Sequence, residues 1–363
     1  MILFNRWRSF FRIYGRQITP INRGFRRLKM SLEEIANYIV SDGKGILAAD
    51  ESNPTCGKRF DSIDVENSEE NRRDYREMLF RSKGMKGNIG GVILFDETLR
   101  QDAADGTPLK ELISNSGALP GIKVDKGLVP LVDGSDEVVT RGLDGLDERC
   151  SEYDSLGAKF TKWRAVIKIG DSMPSDSCIN ENAKALADYA AIAQSNNMVP
   201  IVEPEVLMDG DHSIDLSFHA CARSFQALFD ALDNNGVNIK GTILKPSMVT
   251  PGSLSDKIAI REVAEMTVKC LKENIPSDLP GVAFLSGGQT ELEATAHLNE
   301  MNKIGEFPWK LSFSYGRALQ QSALKAWSGK SENIFIAQDE LSHRAEMNKL
   351  AALGQWDIKL EDR

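Results

Sequence analysis

Lys245 ends an apolar run, Gly241-Thr242-Ile243-Leu244-Lys245-Pro246, and a lysine in that setting is either ion-paired or tuned for chemistry. With an ordinary pKa of about 10.4, only about one lysine in 2,500 is neutral at pH 7. Oily neighbours disfavour the ammonium, and a second cation such as Lys162 would depress its pKa further. Bringing the pKa to about 7 takes a differential of roughly 4 to 5 kcal/mol, which burial plus a nearby cation can supply. A neutral amine there can attack a ketone and form a Schiff base.

Such a lysine needs acids and bases around it. Side chains two apart share a strand face, so Glu203 with Glu205, Lys162 with Arg164, and Lys123 with Asp125 each project together. If those faces share one mouth, Lys245, Lys162, Glu203, Glu205, Asp50 and Lys123 converge. Crowded carboxylates have their pKa values driven apart and can divide tasks. Glu203 is assigned the acid and base work of expelling water from the carbinolamine, and Asp50 the work on a substrate hydroxyl. The bland alternative is a solvated ring of ion pairs that only closes the end of the fold.

Ser286-Gly287-Gly288 and Gly316-Arg317 offer what an anion wants: bare backbone N–H groups, a hydroxyl and a guanidinium. Lys123, Lys58 and Arg59 mark a second anion site across the mouth. Two anion sites flanking an imine lysine imply a bisphosphorylated ketose. The four histidines, His212, His219, His297 and His343, lack zinc-ligand spacing, and Asp209-Gly210-Asp211-His212 reads as a turn. Nothing calls for a metal or a cofactor.

The elements that must hold these groups follow from spacing. Candidate strands begin near Gly45, Gly91, Gly121, Lys159, Val199, Gly241, Gly281 and Lys310, at steps of 46, 30, 38, 40, 42, 40 and 29 residues. Units of that size are what parallel β/α crossovers require. Between them, Phe218, Cys221, Ala222, Phe225, Phe229 and Leu232 make a helical stripe stopped by Gly236, and Ala183, Leu186, Ala187 and Ala190 make another. Thr290 with Glu293 forms a capping box, and Asn67 with Glu70 imitates one. Eight units predict a single (β/α)8 TIM barrel of α/β class. A doubly wound sheet uses the same units, but no GxGxxG or GxxxxGK[ST] occurs. A barrel also puts the phosphate-type loops after its seventh and eighth strands.

The 363 residues are 41% hydrophobic, enough for one large core. Residues 1–30 hold eight basic groups and no acid; with these removed from a total of −9, the other 333 residues carry −17. That body suits neither nucleic acid nor an anionic membrane. No apolar run reaches the roughly 18 residues of a membrane helix. Cys56, Cys150, Cys178, Cys221 and Cys270 are scattered, as buried thiols in a reducing compartment would be. The partition is therefore a basic extension, 1–30, a barrel, 31–345, and a tail, 346–363. The extension is a transit peptide, a membrane-surface helix, or sequence upstream of a start at Met30. The expected location is the cytoplasm, or an organelle if a transit peptide is present.

Longer motifs carry a resemblance: GKGILAADES at 43–52, ENRR at 70–73, GIKVDKG at 121–127, FTKWRAVIKIG at 160–170, VEPEVLMDGDH at 202–212, GTILKPSMV at 241–249, FLSGGQ at 284–289 and SFSYGRALQ at 312–320. In this order they resemble class I fructose-bisphosphate aldolase, nearest its bacterial branch, from about Met30 to Trp356. The resemblance implies that Lys245 forms the imine with dihydroxyacetone phosphate, with Glu203 as acid and base and Asp50 acting in carbon–carbon cleavage. Lys162 and Glu205 are their electrostatic partners. It places Ser286, Gly287, Gly316 and Arg317 at the ketone-end phosphate, and Lys123, Arg59 and Arg72 near the other, with Arg164 also at the substrate. It further implies metal independence, a homotetramer and a role in glycolysis, gluconeogenesis or the Calvin cycle. A transaldolase-type transferase and a non-catalytic scaffold are the rival readings. Many eukaryotic members end in a tyrosine that helps move the enamine proton, whereas this chain ends Lys359-Leu360-Glu361-Asp362-Arg363. Trimming residues 357–363 is therefore expected to leave cleavage nearly intact.

Overall fold

Eight parallel strands pair in chain order: β1 (Gly45–Ala49), β2 (Ile89–Leu94), β3 (Leu119–Lys123), β4 (Phe160–Ile167), β5 (Val199–Val206), β6 (Ile243–Leu244), β7 (Gly281–Phe284) and β8 (Lys310–Tyr315). β1 bonds to β2 on one side and to β8 on the other, which closes the sheet and excludes the open, doubly wound alternative. The computed structural model describes residues 30–362, of which 31–362 belong to a unit that begins at Ser31. Helices separate the strands, and the architecture is a (β/α)8 barrel.

The strands are buried on both faces, as parallel strands under helices must be. Outward residues, among them Leu47, Trp163, Val202, Leu244 and Phe313, pack against the helical ring. Inward residues Ile46, Phe160, Ile201, Ile243 and Ala283 form a second core with Ile35, Ala36, Ile39 and Val40 of helix Leu32–Val40. That helix opens with a full capping box of Ser31 and Glu34 and seats its apolar stripe beneath the barrel. Phe160 fills the interior beside β3. A Cβ on Gly121 would lie 2.3 Å from its ring, so this position tolerates only glycine without a shift.

Several boundaries differ from expectation. β2 and β3 start two residues before Gly91 and Gly121. The sixth strand is two residues long, preceded by a tight turn over Ile239–Gly241. Thr290 and Glu293 do form a capping box, and Gly236 takes the left-handed φ of 66° just after helix Ile214–Asn234. After β1, Ser68 rather than Asn67 caps helix Glu69–Phe80, because its hydroxyl accepts the Asn71 N–H. Helix Ile334–Ala352 runs through the division drawn at residue 345. Trp356 beyond it is 8% exposed, so the tail is anchored at that residue, while residues 357–360 are exposed. The basic extension lies outside the described residues. No helix among the described residues is long and apolar enough to cross a membrane.

Candidate active site

Alternation along the strands builds the site. Inward positions carry apolar side chains in the lower barrel and switch to charge near the C-terminal ends: Ile46 and Ala48 lead to Asp50, Phe160 to Lys162 and Arg164, Ile201 to Glu203 and Glu205, and Ile243 to Lys245. Parallel register sets Arg164 beside Glu203, and Lys123 beside Lys162. Lys245 directly follows β6, where its backbone N–H bonds to the Val202 carbonyl at 2.8 Å.

The side chains form one chain of charge. Lys245 Nζ lies 2.8 Å from Glu203 Oε1, Glu203 Oε2 lies 3.2 Å from Lys162 Nζ, and Lys162 Nζ lies 2.7 Å from Asp50 Oδ2. Lys162, Glu203 and Lys245 are at most 4% exposed. Burial alone would raise the carboxyl pKa of Asp50, but the ammonium groups of Lys162 and then Lys245 outweigh it and hold that pKa far below the usual range. Glu203 is likewise lowered: burial opposes, and Lys162, Lys245 and Arg164 prevail. Burial would lower Lys162, yet Asp50 and Glu203 keep it above its ordinary value, a fixed cation between two carboxylates. Pairing and nucleophilicity are not alternatives for Lys245, since its partner Glu203 is also the nearest group able to take its proton.

Around this line the remaining residues divide. Arg164 pairs with Glu205 and Lys123 with Asp125, the latter at 2.5 Å. Arg59 pairs with Glu51, whose other carboxylate oxygen lies 3.7 Å from buried Arg76. Ser286 is 5% exposed, Gly287 takes a left-handed φ of 54°, and Arg317 donates to the Gly287 carbonyl. Asp50, Arg59, Lys123, Lys162, Arg164, Glu203, Glu205, Lys245, Ser286, Gly287, Gly316 and Arg317 all line one cavity of about 960 Å³. Arg72 does not. Its guanidinium is bound bidentately by Glu97, at 2.8 and 2.7 Å, and donates to Asn67, because helix Glu69–Phe80 turns that side chain into an ion pair of its own. Lys58 is exposed and also lies off the cavity lining.

The cavity has walls that motif reasoning did not single out. Ser52 and Thr55 stand at the start of helix Asn53–Asp61 with hydroxyls 3.0 Å apart, and both line the cavity. The Ser-x-x-Thr spacing next to Asp50 is the signal that could have found them. Arg149 and Arg100 arrive from helices that carry no motif. Among the described residues no group of three or more His, Cys, Asp or Glu is placed to hold a metal, and Asp209–His212 is an irregular segment that bends at Gly210 and Asp211.

Known proteins with this arrangement are numerous. A family model described as fructose-bisphosphate aldolase class-I matches residues 31–363. A protein of Xanthomonas campestris pv. campestris named probable fructose-bisphosphate aldolase class 1 is 52% identical over 327 residues, 90% of this chain and 98% of its own. The cytoplasmic isozyme of fructose-bisphosphate aldolase from Spinacia oleracea is 54% identical over 333 residues, 91% of this chain and 93% of its own. Among solved structures, the aldolase of Plasmodium falciparum in complex with TRAP and a small-molecule inhibitor superposes with a TM-score of 0.89 at 49% identity. It covers 90% of this chain and 95% of its own. On its barrel, its matching length and these relatives, the chain belongs to the class I fructose-bisphosphate aldolase family.

Proposed function

We infer that the protein is a lyase cleaving fructose 1,6-bisphosphate reversibly into dihydroxyacetone phosphate and glyceraldehyde 3-phosphate through a lysine Schiff base. The observation that carries the residue assignment is the buried line Lys245, Glu203, Lys162, Asp50. In the reading we put forward, Lys245 gives up its proton to Glu203 and attacks the ketone carbon. Glu203 returns a proton to the carbinolamine hydroxyl, water leaves, and an iminium forms. Asp50 then takes the proton of the hydroxyl on C4, two carbons from the iminium, as the C3–C4 bond breaks and that oxygen becomes the aldehyde carbonyl. The aldehyde departs, and the electron pair stays on the three-carbon unit as an enamine. A carboxyl of the mouth that holds a proton, such as Asp50 after it has taken the hydroxyl's, protonates that enamine, and water releases the ketone. Lys162 keeps Asp50 ionised and ready to accept, because a charged base costs no proton loss at the moment of reaction.

Ser286, Gly287, Gly316 and Arg317 are proposed to hold the ketone-end phosphate, with Lys123 and Arg59 at the other and Arg164 between. Two anion sites favour release of the three-carbon unit over its transfer by a transaldolase-type reaction. A cytoplasmic homotetramer serving glycolysis and gluconeogenesis is the setting proposed, in line with the Spinacia oleracea relative named cytoplasmic and with five free, buried cysteines. The test is borohydride reduction with and without dihydroxyacetone phosphate, followed by peptide mapping. A substrate-dependent adduct is expected on Lys245 and is expected to vanish in Lys245→Ala; an adduct elsewhere, or none, overturns the assignment.

A further inference from the structure

The C-terminal segment takes no part in the mouth, since no described residue beyond Arg317 lines the cavity. It is nonetheless tightly held. Glu361 accepts from Arg344 Nη1 at 2.5 Å, from His343 Nε2 at 2.9 Å and from Trp356 Nε1 at 2.8 Å. Arg344 is 3% exposed, and its other terminal nitrogen donates to Thr295 Oγ1 at 2.6 Å. Thr295 in turn sits 2.9 Å from the Glu291 carbonyl in the first turn of helix Glu291–Ile304, three residues after Gly288. The Glu291 carboxylate accepts from the Ser322 N–H at 3.0 Å and the Ser322 hydroxyl at 2.7 Å. Ser322 lies on helix Arg317–Trp327, whose first residue supplies the cradle's guanidinium. Both halves of the cradle, the Ser286–Gly288 loop and the Arg317 helix, are thus tied at Glu291. The turn bearing Glu291 is tied through Thr295 and Arg344 to Glu361.

We propose that Glu361 is a positioning residue for recognition of the ketone-end phosphate. By holding Arg344 against Thr295, it sets the register between the glycine loop and Arg317. The inference rests on reading those two loops as the phosphate site. A charge-assisted bond to a buried guanidinium is strong and directional, and removing its carboxylate leaves the cation to seek another partner within the same helical layer.

The test compares the full-length wild type with Glu361→Gln, Glu361→Asp, Thr295→Val and the Glu361→Gln/Thr295→Val pair. Glu361→Gln is expected to raise KM about tenfold for both fructose 1,6-bisphosphate and fructose 1-phosphate, which share the ketone-end phosphate, with kcat within about twofold. Glu361→Asp restores part of that loss. Thr295→Val shifts KM in the same direction, and the pair adds little, because both changes break one link. A fall in melting temperature with KM unchanged, or additive KM effects in the pair, overturns the proposal. Should Glu361→Gln fail to fold, KM in Thr295→Val decides alone. Borohydride trapping of dihydroxyacetone phosphate on wild-type Lys245 separates the two readings: absence of that adduct sinks the functional reading, whereas a normal adduct with unmoved KM values sinks only this one.

Discussion

Lys162 is the residue on which the site's electrostatics turn, since among the described residues it alone pairs with both Asp50 and Glu203. Replacing it by methionine keeps most of the stem and removes the charge. Both carboxyl pKa values then rise, and the acid limb of the pH–rate profile moves to higher pH, with kcat lower by roughly 10²- to 10³-fold. An unmoved acid limb would show that Lys162 is not what keeps these groups ionised. Glu203→Gln removes the carboxylate beside Lys245 that is proposed to carry its proton, and a loss of roughly 10²- to 10⁴-fold in kcat is expected from steady-state assays. At this scale the sequence was informative where strand alternation applied: Glu203, Glu205, Lys162 and Arg164 face inward as spacing predicts. Arg72 was not legible in that way. Its helix phase and its partner Glu97, 25 residues along the chain, are set by packing that no local pattern encodes.

β4 links the oily interior to the charged mouth, with Phe160 as its first residue and Lys162 and Arg164 following at alternate positions. Phe160→Ala should cost roughly 3 to 5 kcal/mol in denaturant unfolding, as a cavity inside a closed barrel cannot easily collapse. Gly121→Ala, which drives a methyl into that ring, should also destabilise. After the Ser286–Gly288 loop, helix Glu291–Ile304 carries His297, whose Nδ1 lies 2.6 Å from Gln289 Oε1. Burial pushes its pKa down to about 4 from 6.5. Between those values the unfolded chain binds a proton that the folded chain refuses. Its contribution is therefore whole above pH 6.5 and declines as pH falls toward 4, by up to about 3 kcal/mol. His297→Gln should lack that part of the slope in unfolding experiments run across the window. The glycines near the starts of β2 and β3 looked like strand openers in the sequence. In the barrel Gly91 and Gly121 both make room for Phe160, a contact made across strands far apart in the chain.

For the whole molecule, strand spacing was enough to count eight units, because each crossover must span a similar distance. The end of the chain was harder to read. Helix Ile334–Ala352 buries Arg344 and Asn348 along with Leu341, Ala345 and Ala351, and those polar residues break the apolar stripe that would have announced it. A chain ending at Trp356 is expected to keep kcat within about twofold, since the lost residues do not line the cavity, while its KM rises through loss of Glu361. A kcat collapse would mean that the last residues reach the mouth during turnover. Activity should also persist in a strong chelator, and its disappearance there would contradict a lysine-based mechanism.

Helix Leu32–Val40 underlies the interior with Ile35, Ile39 and Val40. The vessel is therefore floored, and its chemistry is reached from the opposite end of the barrel. In the proposed mechanism the three-carbon unit is bound covalently to Lys245 and the aldehyde is not, so the aldehyde leaves first. In the direction of synthesis the ketone must form its imine before the aldehyde has anything to join.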